Sequence, residues 1–258
     1  MNQFIARLCI TLTLVLLPTS LFASVTLQLA YSDVESHPFQ LGNGRKIPNE
    51  PGLALDIINL ATEKIDVDLK YVRFPGKRVL HDIQKGTVDG GFIFSYNSDR
   101  AQYAHYPMIG EQPDRSRRIA TIGYYYYQLK GNTQDITLEH LQESQQMVGA
   151  HLGYSIVNVL QDKNVNVHEV KTTEQLFRML RSHRLTTVAI QDTIAEKFLK
   201  EKNWTNVERV SPAIVTKDYY LIFSHQFMAS HPQLPDQIWD AISHARKSAM
   251  PEDALESH

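Results

Sequence analysis

The sequence predicts an α/β protein of two similar lobes, each with a mostly parallel sheet flanked by helices. Short apolar runs alternate with helical patterns twice along the 258 residues, and such alternation is typical of parallel sheets. The two series superpose at a constant offset of 97 residues, which predicts related lobes. The length also suits two domains of ordinary size.

The chain opens with a segment whose composition differs from the rest. Arg7 is the only charged side chain in residues 1–23, Leu8–Leu17 is an apolar run, and a small-residue stretch ends at Ala23. This layout predicts a secretory signal peptide, because so short a run would not cross a bilayer as a helix. An uncleaved membrane anchor is the alternative. Cys9 lies away from the cleavage point, so we expect an exported protein that is not a lipoprotein.

The first lobe is predicted from a β-α-β-α-β series. Residues 25–30 alternate as a half-buried strand does, and apolar residues at helical spacing predict a helix over 53–65. Residues 69–74 and 88–94 are predicted strands, and the short helix between them should end near Gly86. This order implies a parallel sheet with right-handed crossovers.

The same series returns in the second half of the chain. The predicted elements are strands at 147–150, 165–170 and 185–190, and helices that begin at Ser155 and cover 176–180. A strand at 219–224 and an amphipathic helix around Trp239 close the fold. The tyrosine run 124–127 suits a strand that crosses between the lobes.

We expect lobe 1 to comprise residues 24–110 and 209–258, and lobe 2 to comprise residues 111–208. Ligands of open parallel sheets bind beyond the carboxyl ends of the strands. The offset of 97 places Ser95 and Asp192 at equivalent strand ends, one in each lobe. Two lobes whose strand ends face each other would form a ligand-binding cleft.

Three groups lie at the predicted rim of this cleft. Arg100 follows the third strand, Ser155 begins a helix, and Asp192 follows a strand of the second lobe. A guanidinium and a helix N-terminus suit a carboxylate, and an acidic side chain suits an ammonium. Together they would hold a zwitterion. Each could instead have only a local role as a helix cap or ion-pair partner.

Several short motifs occur in a characteristic order behind the predicted signal peptide: His37-Pro38-Phe39, Gly52-Leu-Ala-Leu-Asp56-Ile57, Ile83-Gln-Lys-Gly86-Thr-Val88-Asp89, Asp99-Arg100 before Tyr106-Pro107, Val148-Gly149 before Gly153-Tyr154-Ser155, and Ala189-Ile190-Gln191-Asp192. This pattern resembles the bacterial periplasmic solute-binding proteins of family 3, whose well-known members bind polar amino acids. The resemblance covers nearly all of the mature chain and implies a type II periplasmic binding fold.

The resemblance implies that Arg100 and Ser155 hold a ligand carboxylate and that Asp192 holds an α-ammonium. The other candidate ligand-binding residues are Ser95, Tyr154, Asp33, Tyr31, Arg78 and Phe74. The pattern is incomplete, because Ser36 stands where amino-acid binders often carry a stacking aromatic ring. Arg78 could either add a positive group to the cleft or be a solvated helix residue.

The resemblance implies a periplasmic protein that captures a small polar solute, an amino acid or related carboxylate, for an ATP-driven membrane importer. One alternative is a ligand-sensing subunit for a receptor or sensor kinase. A second is a periplasmic dehydratase on the same fold, in which Asp33, Glu35 or Asp192 would be the general acid or base. We expect a monomer that binds its ligand without chemistry and without a cofactor.

Composition argues against other classes of protein. The formal net charge of −2 does not predict the basic surface that nucleic-acid binding needs. The eleven histidines are scattered without metal-ligand spacing, and neither a phosphate-binding loop nor a nucleophile elbow occurs. One cysteine cannot form an internal disulfide.

Overall fold

A computed structural model describes residues 24–132 and 136–249, which form the predicted α/β architecture. The predicted signal peptide at 1–23 and the chain beyond 249 lie outside the described residues. The described strands are β1 Val25–Ser32, β2 Val67–Phe74, β3 Gly90–Ser95, β4 Ala104–His105, β5 Met108–Ile109, β6 Gln112–Pro113, β7 Ala120–Leu129, β8 Val148–His151, β9 Val167–Val170, β10 Thr187–Gln191 and β11 Val207–Ser224. The described helices are α1 Leu53–Thr62, α2 Gly76–Lys85, α3 Ser98–Ala101, α4 Leu138–Glu143, α5 Ser155–Gln161, α6 Thr173–Arg181, α7 Asp192–Lys202, α8 His225–Ser230 and α9 Leu234–Ala249.

Two blocks of parallel strands are joined by two long antiparallel strands. The strand order is β2-β1-β3-β11-β7-β10-β8-β9, and β4 pairs with β11. Strand β1 is parallel to β2 and β3, and β8 is parallel to β9 and β10. Strand β11 is antiparallel to β3 and β7, and β7 is antiparallel to β10. The predicted fold class is confirmed.

The internal repeat predicted from the sequence has a structural counterpart. Helices α2 and α6 begin at Gly76 and Thr173, and strands β3 and β10 begin at Gly90 and Thr187, so both pairs of elements start 97 residues apart. Helix α2 ends at Gly86 as expected, because this residue adopts a left-handed conformation (φ 69°) that glycine tolerates best.

One predicted element is longer in the structure. The closing strand was expected at 219–224, but β11 is an 18-residue strand. Its first part pairs with the end of β7, and its last part pairs with β3. Because β11 pairs with β7 as well as with β3, it extends well beyond the short apolar run at 219–224. The lobe boundaries near residues 110 and 209 remain a prediction.

Buried apolar side chains lie on both faces of the sheet. Helices α1 and α9 cover one face of the first block with residues such as Ile57, Ile58, Ile238 and Ile242, and helix α2 covers the other with Val79 and Ile83. In the second block Leu176, Phe177 and Leu180 of α6 pack against Val188 and Ile190. No helix of the described segments is long and apolar enough to cross a membrane.

Candidate ligand-binding site

A cavity lies where the carboxyl ends of β3 and β10 approach each other. Its empty volume, including its open mouth, is about 470 Å³. Ser95 and Gln191, the last residues of these two strands, both line it. The full lining, called here the inner cavity, is Ser32, Ser36, Gln40, Gly76, Ile93, Phe94, Ser95, Arg100, Tyr124, Leu152, Gly153, Tyr154, Ser155, Gln191 and Tyr219. The site therefore lies at the strand ends that sequence analysis predicted.

Arg100 supplies the positive charge of the inner cavity. Asn97 caps helix α3 by accepting a hydrogen bond from the Arg100 backbone N–H at 2.8 Å, which fixes the side chain's starting point. Its guanidinium donates to the Ser95 carbonyl at 2.9 Å and reaches the Gly153 carbonyl at 3.5 Å. Arg100 is only 8% exposed, and no salt bridge joins it to an acidic side chain in 24–132 or 136–249.

A network of neutral side chains forms another wall of the inner cavity. The Ser36 hydroxyl donates to Gln191 Oε1 at 2.9 Å, and Gln191 Nε2 donates to the hydroxyls of Tyr124 and Tyr219 at 3.2 and 3.0 Å. Burial raises the pKa of Tyr124 and Tyr219, so both phenols stay protonated at neutral pH. The network can exchange hydrogen bonds with a ligand but carries no charge.

The loop that holds Ser36 and Gln40 is ordered by a buried arginine. Arg73 of β2 donates to the carbonyls of Ser32, Leu41, Gly42 and Lys46, which belong to this loop or its borders. Its guanidinium also lies 4.9 Å from the centre of the Tyr31 ring. Bonds to several carbonyls compensate for burial of the guanidinium and fix the loop's position.

Ser155 and Tyr154 reach the inner cavity from the start of α5. Ser155 is buried beside the hydroxyls of Tyr124 and Tyr219, but its own hydroxyl makes no hydrogen bond of good geometry. The Tyr154 hydroxyl lies near Ser32, and burial raises its pKa. Gly153 precedes them with φ 76°, and Glu169 accepts its backbone N–H at 2.8 Å. This turn brings the second half of the chain to Arg100.

Asp192 does not line the inner cavity, although it is buried directly after Gln191. Its carboxylate accepts a hydrogen bond from the Thr193 backbone N–H at 2.7 Å. The other carboxylate oxygen, Oδ2, lies 3.6 Å from the position that a Cβ atom on Gly123 would occupy. Because side chains alternate along β7, Gly123 and Tyr124 face opposite sides of that strand. Asp192 therefore lies on the other side of β7 from Tyr124, and its contact with a ligand ammonium stays a prediction.

Four other candidates lie outside the inner cavity. Tyr31 is fully buried and stacks on Phe92 at 4.8 Å, so it belongs to the core. Arg78 is exposed, forms an ion pair with Asp82 and covers the ring of Phe74. Arg78 is therefore a surface helix residue, which is one of the two interpretations that the sequence allows.

Asp33 lines a second, larger space that opens beside the first. This outer cavity has an empty volume of about 1750 Å³, and Ser32, Gly76, Leu152 and Tyr154 border both spaces. Its wall carries acidic and basic side chains, among them Asp33, Glu35, Glu174, Lys171 and Lys202. His151 also lines it, and burial lowers its pKa to about 4. The described residues contain no group of three side chains placed to bind a metal ion.

Charged contacts connect the two halves of the chain around these cavities. Lys197 of α7 pairs with Glu35 of the β1–α1 loop, and Lys77 of α2 lies 3.7 Å from Glu169 of β9. The Ser36–Gln191 hydrogen bond also spans the two halves. In this structure the two halves of the chain therefore contact each other around the inner cavity.

Sequence analysis did not single out most of the lining residues, including several polar ones. Gln40, Gln191, Tyr219 and Ser36 were not among the candidates, although Ser36 had been noted as a departure from the family pattern. Gln191 is the last residue of β10, and Tyr219 lies in β11 opposite Ser95, the last residue of β3. Because ligands bind beyond the carboxyl ends of parallel strands, both positions could have been identified from the sequence. Gln40 comes close only through the loop that Arg73 orders, for which the sequence has no local signal.

Solved structures share this architecture at low sequence identity. An ancestral arginine-binding protein bound to glutamine has a TM-score of 0.68 at 17% identity over 90% of this chain and 96% of its own. The substrate-binding protein of an amino acid ABC transporter has a TM-score of 0.66 at 15% identity over 86% and 94%. A histidine kinase sensor domain with similarity to periplasmic binding proteins has a TM-score of 0.70 at 13% identity over 86% and 91%.

Sequence comparison adds no closer relative: no family model matches the chain, and no curated protein does. Each structural match nevertheless covers most of this chain and most of the solved chain. The chain therefore has the two-lobe α/β fold of these solved structures.

Proposed function

We propose that the protein is a periplasmic solute-binding protein that captures a small solute with an acidic group and performs no chemistry on it. The observation that carries this proposal is Arg100, a buried cation on the inner cavity whose acceptors among the described residues are neutral oxygen atoms. A buried charge is costly unless it is paired. A ligand carboxylate would pair with it, and Ser95, Tyr154 and Ser155 would add neutral hydrogen bonds.

Ligand binding would stabilise the closed arrangement of the two halves. Arg100 comes from the first half, whereas Tyr154 and Ser155 come from the second, and all three line one cavity. A solute that contacts both halves binds the closed state more tightly than the open one, so it shifts the population toward closure. A membrane partner that recognises the closed surface would then detect the loaded protein.

The proposed partner is an ATP-driven importer, and a sensor kinase or receptor is the second candidate. Both have support, because the structural neighbours include a binding protein of an amino acid ABC transporter and a histidine kinase sensor domain. Cross-linking in membranes followed by mass spectrometry distinguishes them. Recovery of a permease supports import, whereas recovery of a receptor without a permease supports sensing.

A thermal-shift screen with organic acids, amino acids and short peptides tests the proposed function. Ligand at one hundred times its dissociation constant stabilises the folded state by about 2.7 kcal/mol. For a chain of this size the expected rise in midpoint is roughly 5–10 °C. Absence of any shift across all the acidic compounds would contradict the proposal.

The variant Arg100→Gln tests whether Arg100 binds the ligand, and Arg78→Gln is its matched control. Arg100 lines the inner cavity, whereas Arg78 is exposed on α2 in an ion pair with Asp82. We expect Arg100→Gln to abolish the ligand-induced shift and Arg78→Gln to retain it. Isothermal titration provides the affinities, and circular dichroism verifies that both variants fold. Undiminished binding by Arg100→Gln would remove that residue from the site.

A further inference from the structure

We infer that the solute is an organic acid without an ammonium group, such as a 2-hydroxy or 2-oxo acid, rather than an amino acid. This inference rests on the proposed function and specifies its ligand. It departs from the pairing of Asp192 with an ammonium that sequence analysis predicted.

As far as residues 24–132 and 136–249 show, the inner cavity has a positive charge and no negative one. Of the described residues that line it, only Arg100 is charged, and the remaining polar side chains belong to serine, glutamine and tyrosine. An ammonium in this space would have no carboxylate to neutralise it and would lie near a guanidinium. Burial without a partner and repulsion by a like charge both oppose a protonated amine.

The closest acidic candidates face elsewhere. Asp192 accepts a hydrogen bond from Thr193 and lies toward Gly123, on the opposite side of β7 from Tyr124. Asp33 lines only the outer cavity. The last residue of β10, which does line the inner cavity, is the neutral Gln191.

Neutral groups surround the place where the 2-substituent of a bound acid would lie. Gln191, Ser36, Tyr124 and Tyr219 contain both hydrogen-bond donors and acceptors, and they already contact each other at 2.9–3.2 Å. Hydroxyl and carbonyl groups can exchange hydrogen bonds with such a network without bringing in a charge. The site therefore favours a neutral 2-substituent.

Matched ligand sets test this inference on the wild-type protein. Isothermal titration compares each of alanine, leucine, phenylalanine and glutamate with the 2-hydroxy and 2-oxo acids of the same carbon skeleton. We expect at least one hydroxy or oxo acid to bind at least tenfold more tightly than its amino acid. An amino acid that binds as tightly as its partners overturns the inference but preserves the proposed function. Failure of every acid to bind overturns both.

A charge introduced at Gln191 should reverse the preference. Gln191→Glu places a carboxylate where the neutral amide lies, and Gln161→Glu makes the same change on the exposed end of α5. We expect Gln191→Glu to raise the ratio of amino-acid to hydroxy-acid affinity about tenfold and Gln161→Glu to leave it unchanged. Circular dichroism verifies folding. An unchanged ratio in a folded Gln191→Glu protein contradicts the inference, and the wild-type titrations test it without any variant.

Discussion

At the scale of single residues, burial keeps several polar groups of this protein neutral. His151 ends β8 and is only 2% exposed to solvent, and its Nε2 lies 3.3 Å from the Thr173 hydroxyl. No described residue forms a hydrogen bond with its Nδ1. Because a charged imidazole would lose its hydration there, the pKa of His151 falls from 6.5 to about 4. Stability at this position therefore depends on the neutral ring.

The lowered pKa of His151 predicts a loss of stability in acid. As the pH falls from about 6.5 to about 4, the unfolded chain binds a proton that the folded chain resists, so the free energy of unfolding decreases by up to about 3 kcal/mol. Urea denaturation at several pH values measures this decrease. We expect His151→Gln to flatten the profile and His81→Gln, at an exposed position on α2, to leave it unchanged. An identical slope in His151→Gln would assign the pH dependence to other groups.

At the scale of elements, a single bulge explains why most of the fold could be predicted but part of the site could not. Strand β3 has an irregular register opposite Tyr220 and Leu221, where Ile93 is left over with φ 59°. Strand β3 has six residues and ends at Ser95, whereas β10 has five residues and ends at Gln191. Apolar periodicity predicts strands and helices, but it has no signal for one inserted residue, so the offset of 97 fits the starts of these two strands and not their ends.

The bulge also makes a prediction about Ile93. A branched side chain in the left-handed region is strained by about 1–3 kcal/mol, and glycine avoids that strain. We expect Ile93→Gly to be at least as stable as Ile93→Ala, although glycine normally destabilises a strand relative to alanine. Ile190 of β10 is the matched control, because it is buried and its φ is not positive. There the glycine variant should be less stable than the alanine variant in urea denaturation. The same order at both sites would contradict the bulge.

At the scale of the whole molecule, the proposed function implies open and closed forms, and contacts between the two halves would set the balance between them. Lys197 pairs with Glu35, which lines the outer cavity, and both side chains are partly shielded from solvent. Such a pair contributes up to about 1 kcal/mol and is weakened by salt. This contribution is small beside the energy of ligand binding, so it adjusts the balance without fixing it.

Removing the pair should weaken ligand binding modestly. Lys197→Gln is expected to reduce affinity by up to about fivefold, because less of the protein is closed before the ligand arrives. Lys200→Gln, on an exposed position of the same helix, should have no effect. Isothermal titration at low and high salt measures both variants, and the difference between wild type and Lys197→Gln should shrink as salt increases. A salt-independent difference would argue against an electrostatic contact.

Strand β11 has a further consequence for how motion of this protein could be observed. Its pairing with β7 moves from Val210 opposite Tyr126 to Val215 opposite Tyr124, so residues 211–214 bow out of the ladder, and the first two are exposed. A fluorophore attached to that outward curve would disturb no ladder hydrogen bond. With a second dye on α2, it would let single molecules report their opening and closing in real time.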